Sequence, residues 1–367
     1  MKVTLLSENL QKKLSLSNHA ISSRNQLPIL SHVLLDTKDE RLYIHSTDLE
    51  IGIQTSIPAQ IDEEGSVAVP AKLFLELISS LPQDKITLET VDGSLQIKGK
   101  KTKTIIQTSP KEEFPTLFED KGDKILSFEK GKMKNIFGKI VFASSPEATR
   151  PALTGVLIKK TEKGIVVVAT DGYRLSLEEV VSENNSFLEK AVIVPSRLIK
   201  EAVSLSEDGE INLFVSTKNN QLIFEEENTL LIGRVIDSEF PNYEKVIPTD
   251  VATKVYIDKD ELLKAVKVCS IFARETANII TLSLQKEKIV VRAKTPSLGE
   301  NTVEVDAKLV GEENEIAFNV RYILDALNNI PDSQITFEMT GPLNPGVFRL
   351  DGNNTFLHLI MPIRTQS

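Results

Sequence analysis

The stretch Ala169-Thr170-Asp171-Gly172-Tyr173-Arg174-Leu175 brings an acid, a base and a phenol together in the 367-residue chain and reads as a site. A carboxylate beside a guanidinium in a cleft could serve a hydrolase or a transferase, with Asp171 and Arg174 acting. General acid-base chemistry needs a second acid or a histidine within hydrogen-bond reach, and none neighbours Asp171 in the sequence. The same residues also spell a tight turn between two strands, Asp-Gly supplying the turn geometry. His19, His32, His45 and His358 are dispersed and hold no metal-ligand spacing. There is no GxxxxGK(S/T), no strand-borne GxGxxG, no HExxH and no paired cysteine, so neither a metal nor a cofactor is expected. Cys269, between Val268 and Ser270 in a helical pattern, reads as packing; a lone thiol allows no internal disulfide and suits a reducing cytoplasm.

The elements that position this stretch repeat. Val67-Ala68-Val69-Pro70-Ala71-Lys72-Leu73-Phe74 leads to Ile86-Thr87-Leu88-Glu89. Val192-Ile193-Val194-Pro195-Ser196-Arg197-Leu198-Ile199 leads to Ile211-Asn212-Leu213-Phe214, and Ile316-Ala317-Phe318-Asn319-Val320-Arg321-Tyr322-Ile323 leads to Ile335-Thr336-Phe337-Glu338. Lys72, Arg197 and Arg321 stand 125 and 124 residues apart, as do Ile86, Ile211 and Ile335, so the unit is triplicated without a gap. Apolar alternation followed by helical spacing predicts strand, helix, strand, with columns 73, 74, 77 and 78 forming the helix's apolar stripe. Column 72 is basic and column 76 acidic in every copy, four apart on one helix face, and the pair reads as a solvated ion pair. Each third also opens with a helix, predicted at residues 8–19, from 130 and from 260. The joins follow Glu112-Glu113-Phe114-Pro115 and Ser238-Glu239-Phe240-Pro241, which gives domains 1–121, 122–247 and 248–367.

Length agrees independently, since 367 residues exceed one ordinary core. Hydrophobic content of 41% and charged content of 26% are those of a soluble globular protein, and no apolar run approaches a membrane span. The start, Met1-Lys2-Val3-Thr4-Leu5, lacks the apolar core of a signal peptide. The net charge of −9 argues against tight direct grip on duplex DNA. The opening helices nonetheless carry Lys12, Lys13, Lys130, Lys132, Lys134, Lys139, Lys264 and Lys267, which predicts a basic helical surface and an acidic one of strands and loops.

Together these features closely resemble the bacterial sliding clamps, the beta subunits of DNA polymerase III. The resemblance spans the chain: Arg24-Asn25-Gln26-Leu27-Pro28-Ile29-Leu30, Ala169 to Leu175, Phe240-Pro241-Asn242-Tyr243 and Met361-Pro362-Ile363-Arg364, in order, with three repeats of the right length. It implies an α+β DNA clamp fold of three similar domains, each with two helices packed on antiparallel sheets. Two monomers close head to tail into a ring around duplex DNA, so the partners implied are a second copy of the chain and sequence-independent double-stranded DNA. The resemblance further implies a non-catalytic, cytoplasmic processivity factor that tethers the replicative polymerase, the clamp loader, repair polymerases and other proteins through a hydrophobic peptide pocket. Matching pocket positions are Leu153, Thr170, Gly172, Tyr173, Arg174, Leu175, Pro241, Val246, Tyr322, Leu359, Met361, Pro362, Ile363 and Arg364. DNA contact falls to Arg24, with Arg150 near a second family contact and Lys72, Arg197 and Arg321 added from the repeat. Ile106, Ile271 and Phe272 match the apolar part of the ring interface. Twelve helices about 10 Å apart would enclose a hole of roughly 28 Å, against about 9 Å for six, so a clamp must be a dimer.

Overall fold

The strand-helix-strand unit forms in all three thirds of the chain. The computed structural model describes residues 1–21, 27–181, 191–205, 209–275, 277–295 and 299–364. The first third runs β1 (Lys2–Leu6), α1 (Ser7–Ser17), β2 (His32–Lys38), β3 (Arg41–Thr47), β4 (Ile51–Pro58), β5 (Gln60–Glu63), β6 (Gly65–Pro70), α2 (Ala71–Ser80), β7 (Lys85–Val91), β8 (Ser94–Lys98) and β9 (Lys103–Gln107). The second follows with four strands between its helices among the described residues where the first has five, as β10 (Asp123–Glu129), α3 (Lys130–Gly138), β11 (Gly155–Thr161), β12 (Gly164–Thr170), β13 (Arg174–Val181), β14 (Val192–Pro195), α4 (Ser196–Ser204), β15 (Glu210–Ser216), β16 (Gln221–Glu226) and β17 (Thr229–Arg234). The third comprises β18 (Thr253–Asp258), α5 (Lys259–Ala273), β19 (Ile279–Leu284), β20 (Lys288–Thr295), β21 (Gly299–Gly311), β22 (Asn314–Asn319), α6 (Val320–Asn329), β23 (Gln334–Met339), β24 (Gly346–Leu350) and β25 (Asn353–Ile360). The helices start where strand alternation gives way to helical spacing, and side chains cap two of them. Asp258 accepts from the backbone of Asp260 and Glu261, and Asn319 from that of Arg321. Among the described residues no helix is long and apolar enough to cross a membrane.

Contacts divide the chain into two units, Met1–Gly131 with Arg197–Val235, and Lys132–Ser196 with Ile236–Ser367. The first holds a five-stranded sheet, β5-β1-β7-β8-β9, and an eight-stranded sheet, β10-β15-β16-β17-β4-β3-β2-β6. The second holds a twelve-stranded sheet, β14-β11-β12-β13-β25-β24-β23-β18-β21-β20-β19-β22. Each large sheet therefore fuses strands of two consecutive thirds. In the first unit β17 runs antiparallel to β4, pairing Leu231 with Ile53 and Ile232 with Gly52. In the second, β25 runs antiparallel to β13, pairing His358 with Ser176 and Leu359 with Leu175.

The helix stripe is largely buried, with Leu77, Val203 and Tyr322 half-buried and one position bare. Phe74, Ile199 and Ile323 are in the core, and so is Leu198, but Leu73 at the same column is 53% exposed. Leu198 is accommodated because residue 233 is glycine: a Cβ there would lie 2.7 Å from Leu198 Cδ2. Gly233→Ala is accordingly expected to destabilise the first unit by about 1–3 kcal/mol through overpacking, measured by urea denaturation.

Two expectations about charge are corrected. In the second and third copies, the column 72 and 76 residues reach away from each other. Arg197 Nη1 bonds Asp48 at 2.6 Å and Glu50 at 3.1 Å, Glu201 bonds His19 at 2.8 Å, and Asp325 bonds Arg174 at 2.5 Å. The base-before-acid order is the weaker one within a helix, so partners on neighbouring elements win. Lys130 and Lys139 are interior, paired with Glu226 and Glu178 at 3.5 and 3.0 Å, and add nothing to a basic surface.

Candidate functional site

The turn before β13 is built by Thr170 and Asp171. Thr170 Oγ1 donates to the Arg174 carbonyl at 2.7 Å and accepts from the Gly172 N–H at 3.0 Å. Asp171 Oδ1 accepts from the N–H groups of Tyr173 and Arg174 at 2.9 and 3.0 Å, an Asx-turn. Gly172 has φ +91°, a left-handed geometry that glycine adopts without steric cost. The same bonds recur before β4, where Thr47 bonds the Ile51 carbonyl and the Leu49 N–H, and Asp48 accepts from Glu50 and Ile51. Asp171 thus has a structural duplicate in the first third, which accounts for it without catalysis. Among the described residues no cluster of His, Cys, Asp and Glu could hold a metal ion.

Arg174 is drawn inward, only about 10% exposed. Its Nε donates to Asp171 Oδ2 at 3.0 Å, Nη1 to Asp325 Oδ2 at 2.5 Å and Nη2 to the Phe142 carbonyl at 3.0 Å. Its guanidinium carbon lies 4.8 Å from the centre of the Tyr322 ring and 5.5 Å from that of Phe142, a cation-π sandwich. Tyr173 stacks on Tyr322 at 6.4 Å with an interplanar angle of 17°, and its carbonyl accepts from the Met361 N–H at 2.8 Å. Burial, then the charge of Asp171, raises the Tyr322 phenol, which stays protonated. The Ile363 N–H donates to the Ala317 carbonyl, which ties the C-terminal segment to β22.

Beneath this ledge Leu175 and Leu359 are buried and belong to one apolar cluster with Tyr243, Leu177 and Val168. Above it Tyr173, Val246 and Met361 are exposed apolar side chains. A cavity of about 510 Å³ adjoins, lined by Arg150, Pro151, Ala152, Leu153, Phe240 and Pro241 among others. The structure therefore collects Thr170 to Leu175 with Tyr322, Leu359 and Met361, and Leu153 with Pro241. Pro362 and Ile363 are half-buried, and Arg364 is exposed. Arg150, expected toward DNA, lines this cavity, and its Nη1 lies 3.7 Å from where a Gly172 Cβ would stand. Phe142 and Asp325 were not legible as site residues; the acid in column 76 was the available signal.

The remaining expected residues separate. Lys72 and Arg321 are exposed, whereas Arg197 is held by Asp48 and Glu50 and donates to the His19 carbonyl, so it is not a free phosphate ligand. Arg24 lies outside the described residues. Ile271 is 57% exposed and Phe272 half-buried. Ile106 is corrected: it is 4% exposed in the core of the first unit, because strand alternation turns Ile105, 57% exposed, to the outside instead.

Antiparallel sheets fused across consecutive thirds, with a strand-helix-strand unit and a second helix in each third, define a DNA clamp fold. Residues 1–118, 127–242 and 244–364 match the N-terminal, central and C-terminal domains of the DNA polymerase III beta subunit. The beta sliding clamp of Synechococcus elongatus is 31% identical over the full length of both chains, and that of Staphylococcus aureus 30% identical over 94% of each. The solved sliding clamp of Bacillus subtilis superposes with a TM-score of 0.95 at 27% identity, covering 100% of both chains. The beta subunit of Pseudomonas aeruginosa gives 0.93 at 28%, covering 99% of this chain and 100% of its own. The chain belongs to the beta sliding clamp family of DNA polymerase III, whose members are non-catalytic processivity factors.

Proposed function

We propose that two copies of the chain close head to tail into a ring around duplex DNA, slide along it without regard to sequence, and tether the replicative polymerase. Through the ledge at Tyr173, Val246 and Met361, the clamp loader, repair polymerases and other proteins also dock by short peptides. On this reading the ring works in the cytoplasm, at the nucleoid. Flexible Met361 and the exposed apolar side chains suit a pocket that accepts several partners. Arg24, Lys72 and Arg321 are assigned to weak phosphate contact, and Arg150 is shared with the pocket rim. A ring holds DNA by topology, so few bases suffice despite the net charge of −9.

The observation carrying the dimer is that the chain makes the same junction twice and leaves the parts of a third unpaired. Leu88, Leu213 and Phe337 pair with Ile97, Phe224 and Phe348, which pair in turn with Thr104, Leu231 and His358. Ile105, Ile232 and Leu359 are thus one position. By the same logic Ile44, Val167 and Val291 pair with Thr55, Glu178 and Val303, which makes Gly52, Leu175 and Glu300 one position. Ile232 faces Gly52 and Leu359 faces Leu175. Among the described residues Ile105 has no such partner: β9 ends its sheet, and residues 299–306 of β21 pair only with β20. Ile232 is 3% and Leu359 1% exposed, against 57% for Ile105, and Leu73 is bare where Leu198 is buried. Joining β9 of one copy to β21 of the next in the shared register sets Ile105 opposite Glu300 and Lys103 opposite Thr302, between Glu300 and Glu304. Lys103 then finds opposite charge on either side, and Ile105 is covered by the joined strand.

The test is retention on DNA. Chain placed on nicked circular duplex by the clamp loader is expected to stay bound in high salt and to escape once the circle is linearised. Equal escape from circular and linear DNA would remove the ring reading.

A further inference from the structure

We propose that Asp325 of α6 is a positioning residue for the peptide ledge, acting through Arg174; this rests on the reading of that ledge as a peptide site. Asp325 is half-exposed, yet its carboxylate makes the shortest of Arg174's three polar contacts, 2.5 Å from Nη1. Tyr322 lies one turn earlier on the same helix and receives the guanidinium on its ring, and Tyr173 stacks on Tyr322. The chain of support is therefore Asp325 to Arg174 to Tyr322 to Tyr173. Tyr173, 62% exposed, is the ring a peptide would meet.

The first unit supplies a comparison within the same molecule. There the position of Arg174 is Ile51, and Glu201, at the column of Asp325, bonds His19 rather than the turn. The helix is still tied to the turn, but by Arg197 to Asp48, with the acid and base exchanged between the two elements. Helix-to-turn pairing is thus common to both junctions, while the route through an inward-drawn arginine belongs to the second alone. Pulling Arg174 down with a carboxylate on each side keeps its charge out of the apolar ledge and holds the Tyr322 ring flat beneath Tyr173. Without Asp325, Nη1 loses its anion. The guanidinium is then free to rise toward solvent, where it would displace the stacked tyrosines and put a cation into the surface that must receive apolar peptide side chains.

The probe is a fluorescein-labelled peptide spanning the clamp-binding segment of the replicative polymerase, titrated with the full chain by fluorescence polarisation. Asp325→Asn is expected to weaken binding about tenfold with an unchanged melting temperature, and Asp325→Glu to return it to within about twofold of the unaltered chain. On an Arg174→Ala background, where affinity is already reduced, Asp325→Asn is expected to cost nothing further, which a general structural role would not produce. Unaltered affinity in Asp325→Asn would overturn the proposal, as would an equal loss on both backgrounds or failure of Asp325→Glu to rescue. No binding by the unaltered chain would bring down the peptide-site reading itself, and this proposal with it.

Discussion

Ile105→Glu is expected to leave single chains, each folded, where the unaltered protein is expected to sediment as a dimer. Burying an isoleucine side chain contributes about 2–3 kcal/mol, and placing a carboxylate at the same apolar spot costs several more. The new carboxylate would also face Glu300, its neighbour across the joined strands in the register shared by the two internal junctions. A head-to-tail ring of two copies contains each such junction twice, so both losses count twice in the dimer's free energy. A dissociation constant raised by at least about a thousandfold follows. The neighbouring residue gives the contrast. Ile106 is in the core and pairs with Leu95, so Ile106→Ala should lower the stability of the first unit by about 2–4 kcal/mol and leave assembly of the surviving folded chains largely intact. Sedimentation velocity at micromolar concentration, with a melting curve for each variant, separates the two effects. A dimeric Ile105→Glu chain with an unshifted sedimentation coefficient would show that β9 is not the joining edge.

What the sequence could tell depended on whether the signal was local or topological. The triplicated unit was readable because its columns have fixed spacing, and its helices lie where the spacing put them. The Thr-Asp turn was readable too, since its bonds close within a few residues; its duplicate at Thr47-Asp48 was the sign that Asp171 serves structure. Ile105 against Ile106 was not readable, because two consecutive isoleucines fit a strand in either phase, and only the pairing of β8 with β9 decides which faces the core. The fate of the column 72 and 76 charges was likewise hidden. Whether Arg197 meets Glu201 or Asp48 depends on β17 lying against β4, a pairing between residues nearly two hundred positions apart. Lys130 and Lys139 looked like surface charge for the same reason: Glu226 and Glu178 reach them only through the fold.

Lowering the pH from 7.5 to 5 is expected to destabilise both units through two histidines, His358, which is buried, and His45, which is half-buried. His358 is fully enclosed. Its Nδ1 is 2.7 Å from Ser176 Oγ, its ring centre lies 5.2 Å from that of Phe142, and its Nε2 has no hydrogen-bond partner among the described residues. Burial, then the nearby charge of Arg174, pushes its pKa from 6.5 down to about 3. Burial brings His45 down to about 4, against the opposing pull of Asp36. Both folded values lie below the unfolded one, so between pH 6.5 and about 4 or 3 the unfolded chain binds more protons and stability is lost as pH falls. At pH 5, about 1.5 units below the unfolded value, each histidine accounts for about 2 kcal/mol, a large part of the margin of an ordinary domain. The repeat supplies the controls. Ile53 and Leu231 occupy the positions of Ser176 and His358, so the double variant Ser176→Ile with His358→Leu copies a pair the fold already accommodates, and the single variant His45→Val places at His45 the residue found at the equivalent Val168. Urea denaturation at pH 7.5 and 5 should show each variant losing about 2 kcal/mol less than the unaltered chain over that interval. An unaltered chain equally stable at both values, or variants with the same loss as their parent, would mean that these two rings do not carry the acid sensitivity.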